Sequence, residues 1–129
     1  MESYKEESIK YREMFKVMYF WIQNINHGKR ISDYLKNKNV KKIVIYGAGD
    51  IGKCLCEELV RENIDVLYFL DKNKIGSIYG VPIKKTIICP EEVDFVIVTT
   101  LNCFFEVKNE LQKNFLGEIE ALDNIIYKL

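Results

Sequence analysis

Residues 43–53 read IVIYGAGDIGK, a β-branched run that ends in three spaced glycines. Such a run suits a strand buried on both faces, and the glycines make the following turn a phosphate-type loop rather than a hairpin. Two such loops fit the spacing. Gly47, Gly49 and Gly52 give G-x-G-x-x-G, and Gly47, Gly52 and Lys53 give G-x-x-x-x-G-K. The second loop needs Ser or Thr after its lysine, because that hydroxyl binds Mg²⁺. Here the residue is Cys54. A thiol is a soft ligand and Mg²⁺ takes hard oxygen. The dinucleotide reading lacks nothing. Gly47 permits the tight turn, Gly49 lets a pyrophosphate approach the backbone, and Gly52 lets helix and strand pack closely. Asp71 ends the next apolar run, 24 residues after Gly47, where a carboxylate accepts ribose hydroxyls.

Hydrophobic periodicity supplies the frame. Residues 6–26 read as a helix, with Tyr11, Phe15, Met18, Ile22 and Ile25 on one apolar face widened by Met14, Val17 and Trp21. Gly28 suits its C-cap. A short helix follows over 31–38, ended by Asn39. Strands are expected at 41–47, 64–71, 79–83, 94–100 and 117–122, with a short tail after the last. Between them lie a helix over 50–62, with Ile51, Leu55, Leu59 and Val60 inward, a helical turn over 89–93 and a helix over 102–114. Strands alternating with helices imply a parallel α/β sheet. The expected fold is a three-layer domain over 40–129 with five parallel strands in the order 3-2-1-4-5. Residues 1–39 form an N-terminal helical extension. There is no internal repeat.

Nineteen basic and nineteen acidic residues leave no net charge, which argues against a nucleic-acid partner held by phosphate neutralisation. The charged start MESYKEESIKYRE has no apolar signal segment, and the apolar run Val17–Ile22 is far shorter than the ~20 residues a membrane span needs. A cytoplasmic chain with four reduced cysteines is therefore expected. Cys54 and Cys56 point to different faces of their helix, Cys89 and Cys103 are distant, and His27 is the one histidine. No zinc spacing results, and no metal site is expected.

The candidate binding residues are Gly47, Ala48, Gly49, Asp50, Ile51 and Gly52 in the loop, Asp71 and Lys72 after the second strand, and Thr99, Thr100 and Asn102 after the fourth. Asp50 is expected to cap the helix N-terminus, because a carboxylate repels phosphate. Lys53 either adds positive charge or is solvated. Asp71 favours NAD over NADP by repelling a 2′-phosphate, although Lys72 or Lys74 could offset it. No catalytic residue is assigned. Y-x-x-x-K occurs at Tyr34/Lys38 and Tyr68/Lys72, but not downstream of the fourth strand, where short-chain dehydrogenases carry it. His27 has no evident partner, and Cys103 has no base.

KKIVIYGAGDIGKCLCEEL, VLYFLDKN, YGVPI and CPEEVDFVIVTT together resemble the small Rossmann domain of bacterial nucleotide-sugar and polysaccharide-biosynthesis proteins. The preceding helical segment is similar to that of short stand-alone proteins of this type. The resemblance spans nearly the whole chain, and its specific motifs are the glycine loop and Asp71. It implies binding of NAD, or alternatively of NADP, a nucleotide-sugar or CoA. It implies a nucleotide-binding accessory module. Alternatives are an oxidoreductase or epimerase subunit completed by a partner, and a scaffold with an unused loop. Finally, the excess of large apolar residues over 14–22 predicts a homodimer through the first helix.

Overall fold

The computed structural model describes residues 2–129. In chain order, α1 (Glu2–Asn26), α2 (Ile31–Asn37), β1 (Lys42–Tyr46), α3 (Asp50–Arg61) and β2 (Asp65–Leu70) are followed by β3 (Ser77–Ile78) and β4 (Val81–Lys84). A 3-10 turn over Pro90–Glu92 then leads into β5 (Phe95–Val98), α4 (Phe104–Leu111), β6 (Glu118–Ala121) and α5 (Leu122–Lys128). Two helix ends follow from single residues in left-handed backbone. Gly28 lets the Lys29 N–H return to Asn24 O, and Asn39 lets Val40 N–H return to Leu35 O.

Side-chain alternation along β1 and β5 divides the core. Ile43, Ile45, Phe95 and Ile97 face one side of the sheet, and Val44, Val96 and Val98 the other. All are essentially without solvent contact, as strands covered on both faces require. The first face is covered by Val17 and Trp21 of α1, Ile31 and Leu35 of α2, Leu55 and Leu59 of α3, and Ile125 and Ile126 of α5. The second is covered by Val107 and Leu111 of α4 and by Phe115. Its remainder lies under the segment before β5. There the Tyr68 hydroxyl accepts the Ile88 N–H and donates to the Ile88 carbonyl, at 2.9 and 2.8 Å.

The architecture is thus α/β with a mostly parallel sheet, but the sheet has six strands in the order β3-β4-β2-β1-β5-β6. Five strands in the order 3-2-1-4-5 do not describe it. The difference is a two-residue antiparallel strand, β3, added at the edge. Ile78 pairs with Val81, and the intervening Tyr79 and Gly80 both take positive φ. That is the primed turn that matches strand twist in a tight hairpin. Of the strand expected over 79–83, Tyr79 and Gly80 form this turn and Val81–Ile83 belong to β4. The tail after β6 is also corrected: it is α5, whose Leu122, Ile125 and Ile126 are buried. Val60 of α3, expected inward, is exposed.

α1 docks on a different face from the one its spacing suggests. Val17 and Trp21 are buried and Met14 and Met18 partly so, whereas Tyr11, Phe15 and Ile22 lie largely in solvent. Two polar contacts fix this rotation. Trp21 Nε1 donates to Glu58 Oε1 at 2.9 Å, and Asn24 Nδ2 donates to Ile126 O at 3.0 Å. Glu58 is itself buried on α3, and its Oε2 accepts the Ile31 N–H at 3.0 Å. One carboxylate therefore ties both N-terminal helices to α3. Among the described residues, no helix is long and apolar enough to cross a membrane.

Candidate functional site

β1 sits between β2 and β5, so the chain leaves it in both directions across the sheet. Open parallel sheets hold their ligands at such a reversal, beyond the carboxyl ends of the strands. Here the glycine loop follows β1, Asp71 follows β2, and Thr99 to Cys103 follow β5. They enclose a cleft of about 600 Å³.

Each glycine of the loop stands in a different situation. Gly47 has φ +107°, and a Cβ there would collide with the Thr99 hydroxyl oxygen. Gly52 lies on the first turn of α3, where a Cβ would collide with the Gly47 carbonyl oxygen. Both are demanded by packing. Gly49 has ordinary extended backbone, φ −89°, and a Cβ there would meet nothing within 4 Å. Nothing in the polypeptide requires a glycine at that place, which borders the cleft.

Gly49 also replaces Asp50 as the N-cap of α3. Asp50 is the first helical residue, is exposed, and makes no capping hydrogen bond. The reason lies in the loop geometry: Lys53 N–H already bonds the Gly49 carbonyl at 2.9 Å, so the helix begins one residue earlier than a cap at Asp50 would need. Asp50, Ile51 and Gly52 precede that first bond and line the cleft, and no side chain caps them. A helix start of this kind presents unmet N–H groups and positive partial charge, which suits phosphate oxygens.

Asp71 is held more tightly than a ribose ligand alone would need. Its Oδ2 accepts the Ala48 N–H at 3.0 Å, and its Oδ1 accepts Asn73 and Lys74 N–H at 2.9 and 3.0 Å. Burial pushes its carboxyl up, but the three backbone donors and the Lys74 ammonium outweigh burial and hold it below the usual carboxylate value. Lys74 Nζ closes the arrangement by donating to Ala48 O at 3.1 Å. Asp71 therefore latches the glycine loop to the end of β2 while still lining the cleft. Thr99 plays a similar internal part, its buried hydroxyl donating to Tyr46 O at 2.8 Å. The Thr100 hydroxyl is buried at the cleft wall without a partner.

The structure brings most of the sequence-derived candidates together. Gly47, Gly49, Asp50, Ile51, Gly52, Asp71, Thr99, Thr100 and Asn102 all line the cleft. Ala48 and Lys72 do not. Ala48 is fully buried, with its N–H and carbonyl used by Asp71 and Lys74. Lys72 turns away to pair with Glu110 of α4 at 2.8 Å, so Lys74 is the cation of that turn that reaches the cleft. Four lining residues escape the sequence reading: Leu101 after β5, and Lys10, Tyr11 and Met14 of α1, which form a wall. Only the docked orientation of α1 reveals that wall.

The remaining candidates for chemistry lie in structural settings. The Tyr34 hydroxyl donates to Glu120 Oε2 at 2.7 Å, and its spacing partner Lys38 pairs with Glu118. Tyr68 holds Ile88, as described above. His27 bonds Gln23 O at the end of α1. Cys56 is buried and Cys54 exposed, and Cys103 borders the cleft at the start of α4. Among the described residues, no group of three or more His, Cys, Asp and Glu converges as a metal site would need. Compared with protein-family models, curated proteins and solved structures, the chain matches none.

Proposed function

We propose that the cleft binds a nucleotide through its diphosphate, with NAD(H) the first candidate, and that the chain serves as a nucleotide-binding accessory or regulatory module. One observation carries this reading. Of the three loop glycines, Gly49 alone has no packing or backbone reason to be glycine, and it opens on the cleft beside the unmet N–H groups of α3. A close approach by a ligand supplies the missing reason. The Asp71 carboxylate, kept charged by the loop it latches, disfavours a 2′-phosphate and so supports NAD over NADP. Lys10 and Lys74 add positive charge at the cleft wall. The setting in bacterial surface-polysaccharide or nucleotide-sugar metabolism rests on the resemblance of the glycine loop, Asp71 and their flanks.

Calorimetric titration with NAD⁺, NADH, NADP⁺, UDP-sugars and CoA tests the reading. Binding by one of the nicotinamide nucleotides that Gly49→Val weakens supports it. No binding by any of them leaves a scaffold with an unused loop. A second reading, a subunit of an oxidoreductase or epimerase whose substrate site another protein completes, is favoured by the position of Cys103 and Asn102 at the rim of an open cleft. Turnover of a nucleotide-sugar only in the presence of a partner protein distinguishes it.

A further inference from the structure

Beside the outward-facing Arg12 and Lys16, α1 exposes a set of large apolar side chains. Tyr11, Phe15, Tyr19, Phe20 and Ile22 are 64, 70, 51, 46 and 53% exposed, and Tyr127 of α5 beside them is 49% exposed. They form one surface rather than scattered side chains. Phe15 stacks on Tyr19 with ring centroids 6.3 Å apart, Tyr19 meets Phe20 edge-on at 5.4 Å, and Phe20 meets Tyr127 edge-on at 5.5 Å.

We infer that two copies of this chain pair in antiparallel fashion through this face of α1. Three arguments fix the occupant. The first is area. With large side chains at about 200 Å² each, the exposed parts of these residues amount to roughly 600 Å². That is at the upper end of the largest patch on an ordinary monomer, about 300–600 Å². It is also most of the ~800 Å² that each side of a standard interface contributes. The second is self-complementarity. Tyr11, Phe15, Tyr19 and Ile22 form a straight stripe on one helix, with Phe20 and Tyr127 on its flank, so a two-fold axis near the middle of Met18 and Tyr19 lays Phe15 of each copy against Ile22 of the other. The third is charge. The same axis brings exposed Glu7, near the start of α1, to Lys29 and Arg30 of the second copy, which follow its end. A parallel arrangement would instead set Glu7 beside Glu7 and Lys29 beside Lys29. This inference does not depend on the nucleotide reading.

Sedimentation equilibrium and light scattering at tens to hundreds of micromolar provide the test. The wild-type chain is expected at twice its 15.2 kDa mass. Phe15→Glu combined with Ile22→Glu should return it to a single chain. Because both side chains are exposed in the monomer, Trp21 emission should stay as in wild type, and the melting temperature should match that of wild type diluted until it dissociates. Glu7→Lys should weaken pairing several-fold, and adding Lys29→Glu should recover it. A wild-type monomer throughout the concentration range overturns the inference, and so does a double variant that stays dimeric. A charge swap without effect overturns the antiparallel arrangement. A chain that stays monomeric but gains mass on anionic vesicles, or with a different polypeptide, gives the surface another occupant and overturns the inference too.

Discussion

Alanine placed at each loop glycine in turn separates the geometry of the polypeptide from that of its ligand. At Gly52 the new methyl runs into the Gly47 carbonyl, so α3 must move off the loop. Overpacking of this kind costs about 1–3 kcal/mol, only partly offset by the ~1 kcal/mol that alanine gains over glycine in a helix. At Gly47 the methyl strikes Thr99, and the positive φ adds about 1–3 kcal/mol of backbone strain. At Gly49 neither term exists. Alanine there reduces the freedom of the unfolded chain, worth about 0.4–1 kcal/mol, but is a poorer N-cap than glycine by a similar amount. The two cancel, so Gly49→Ala should change stability by no more than about 0.5 kcal/mol.

Ligand binding should show the reverse ranking. A side chain at Gly49 stands where the diphosphate reaches the α3 N–H groups, and loss of one hydrogen bond to a charged group costs about 1.5–3 kcal/mol. Affinity for NADH should therefore fall roughly 10- to 100-fold in Gly49→Val. Thermal melts rank stability and calorimetry ranks affinity. If Gly49→Ala melts as low as Gly52→Ala, the glycine is structural after all. If Gly49→Val binds NADH as wild type does, the ligand does not cross Gly49, and the assignment of the loop is wrong.

Asp71→Ala removes the acceptor of three backbone N–H groups, so the loop should loosen, with about 1–3 kcal/mol lost in urea denaturation. The same variant should weaken NAD more than NADP, and an unchanged preference between them would exclude the ribose role. Because the folded carboxyl of Asp71 is held below its unfolded value, its stabilisation is complete above the ordinary carboxylate pKa. That contribution should disappear as pH falls below about 4 and through the lower folded value, and the acid limb of the Asp71→Ala stability curve should be correspondingly shallower. Glu58→Gln puts an amide NH₂ opposite either Trp21 Nε1–H or Ile31 N–H, both donors, and should cost about 1–3 kcal/mol with a red shift of Trp21 emission. Lys10→Gln and Tyr11→Ala should weaken NADH binding several-fold while leaving the melting temperature within a degree or two, since neither side chain enters the core.

Elements whose local signal and tertiary role agree could be read directly from the residues. β1, α3 and β2 carry apolar runs and a glycine loop in an order with few alternative foldings, and Pro90 opens its predicted turn. Elsewhere the local signal is weak or ambiguous, and tertiary structure decides. Tyr79 takes φ 53° beside Gly80, yet tyrosine is not a usual residue for a primed turn, so the hairpin was invisible. α5 is only seven residues long, too short for periodicity to declare it. Asp71 could be placed at the site from spacing alone. Spacing could not show that the carboxylate reaches back 23 residues to latch Ala48. Glu58 gave no signal either, because a buried carboxylate on a helix looks like any solvated one in the sequence.

α1 shows why apolar content alone does not identify a packed face. Successive residues of a helix turn by about 100°, so a segment with apolar residues well around its circumference has several candidate faces of similar hydrophobicity. Burial is then decided by the side chains that need a particular partner. Trp21 and Asn24 find Glu58 Oε1 and Ile126 O, and their direction sends Val17 inward. That choice turns the N-terminal half, with Lys10, Tyr11 and Met14, onto the cleft, and leaves Phe15, Tyr19 and Ile22 outside. Core cover, cleft wall and outer stripe thus fall on separate sectors of one helix. Substitutions in one sector should leave the other two readouts unchanged, except at Met14, which packs on the core and lines the cleft, and at Tyr11, which lies on both the cleft and the stripe. A ligand that orders Tyr11 should therefore alter pairing, and by linkage pairing should alter affinity for that ligand by the same factor.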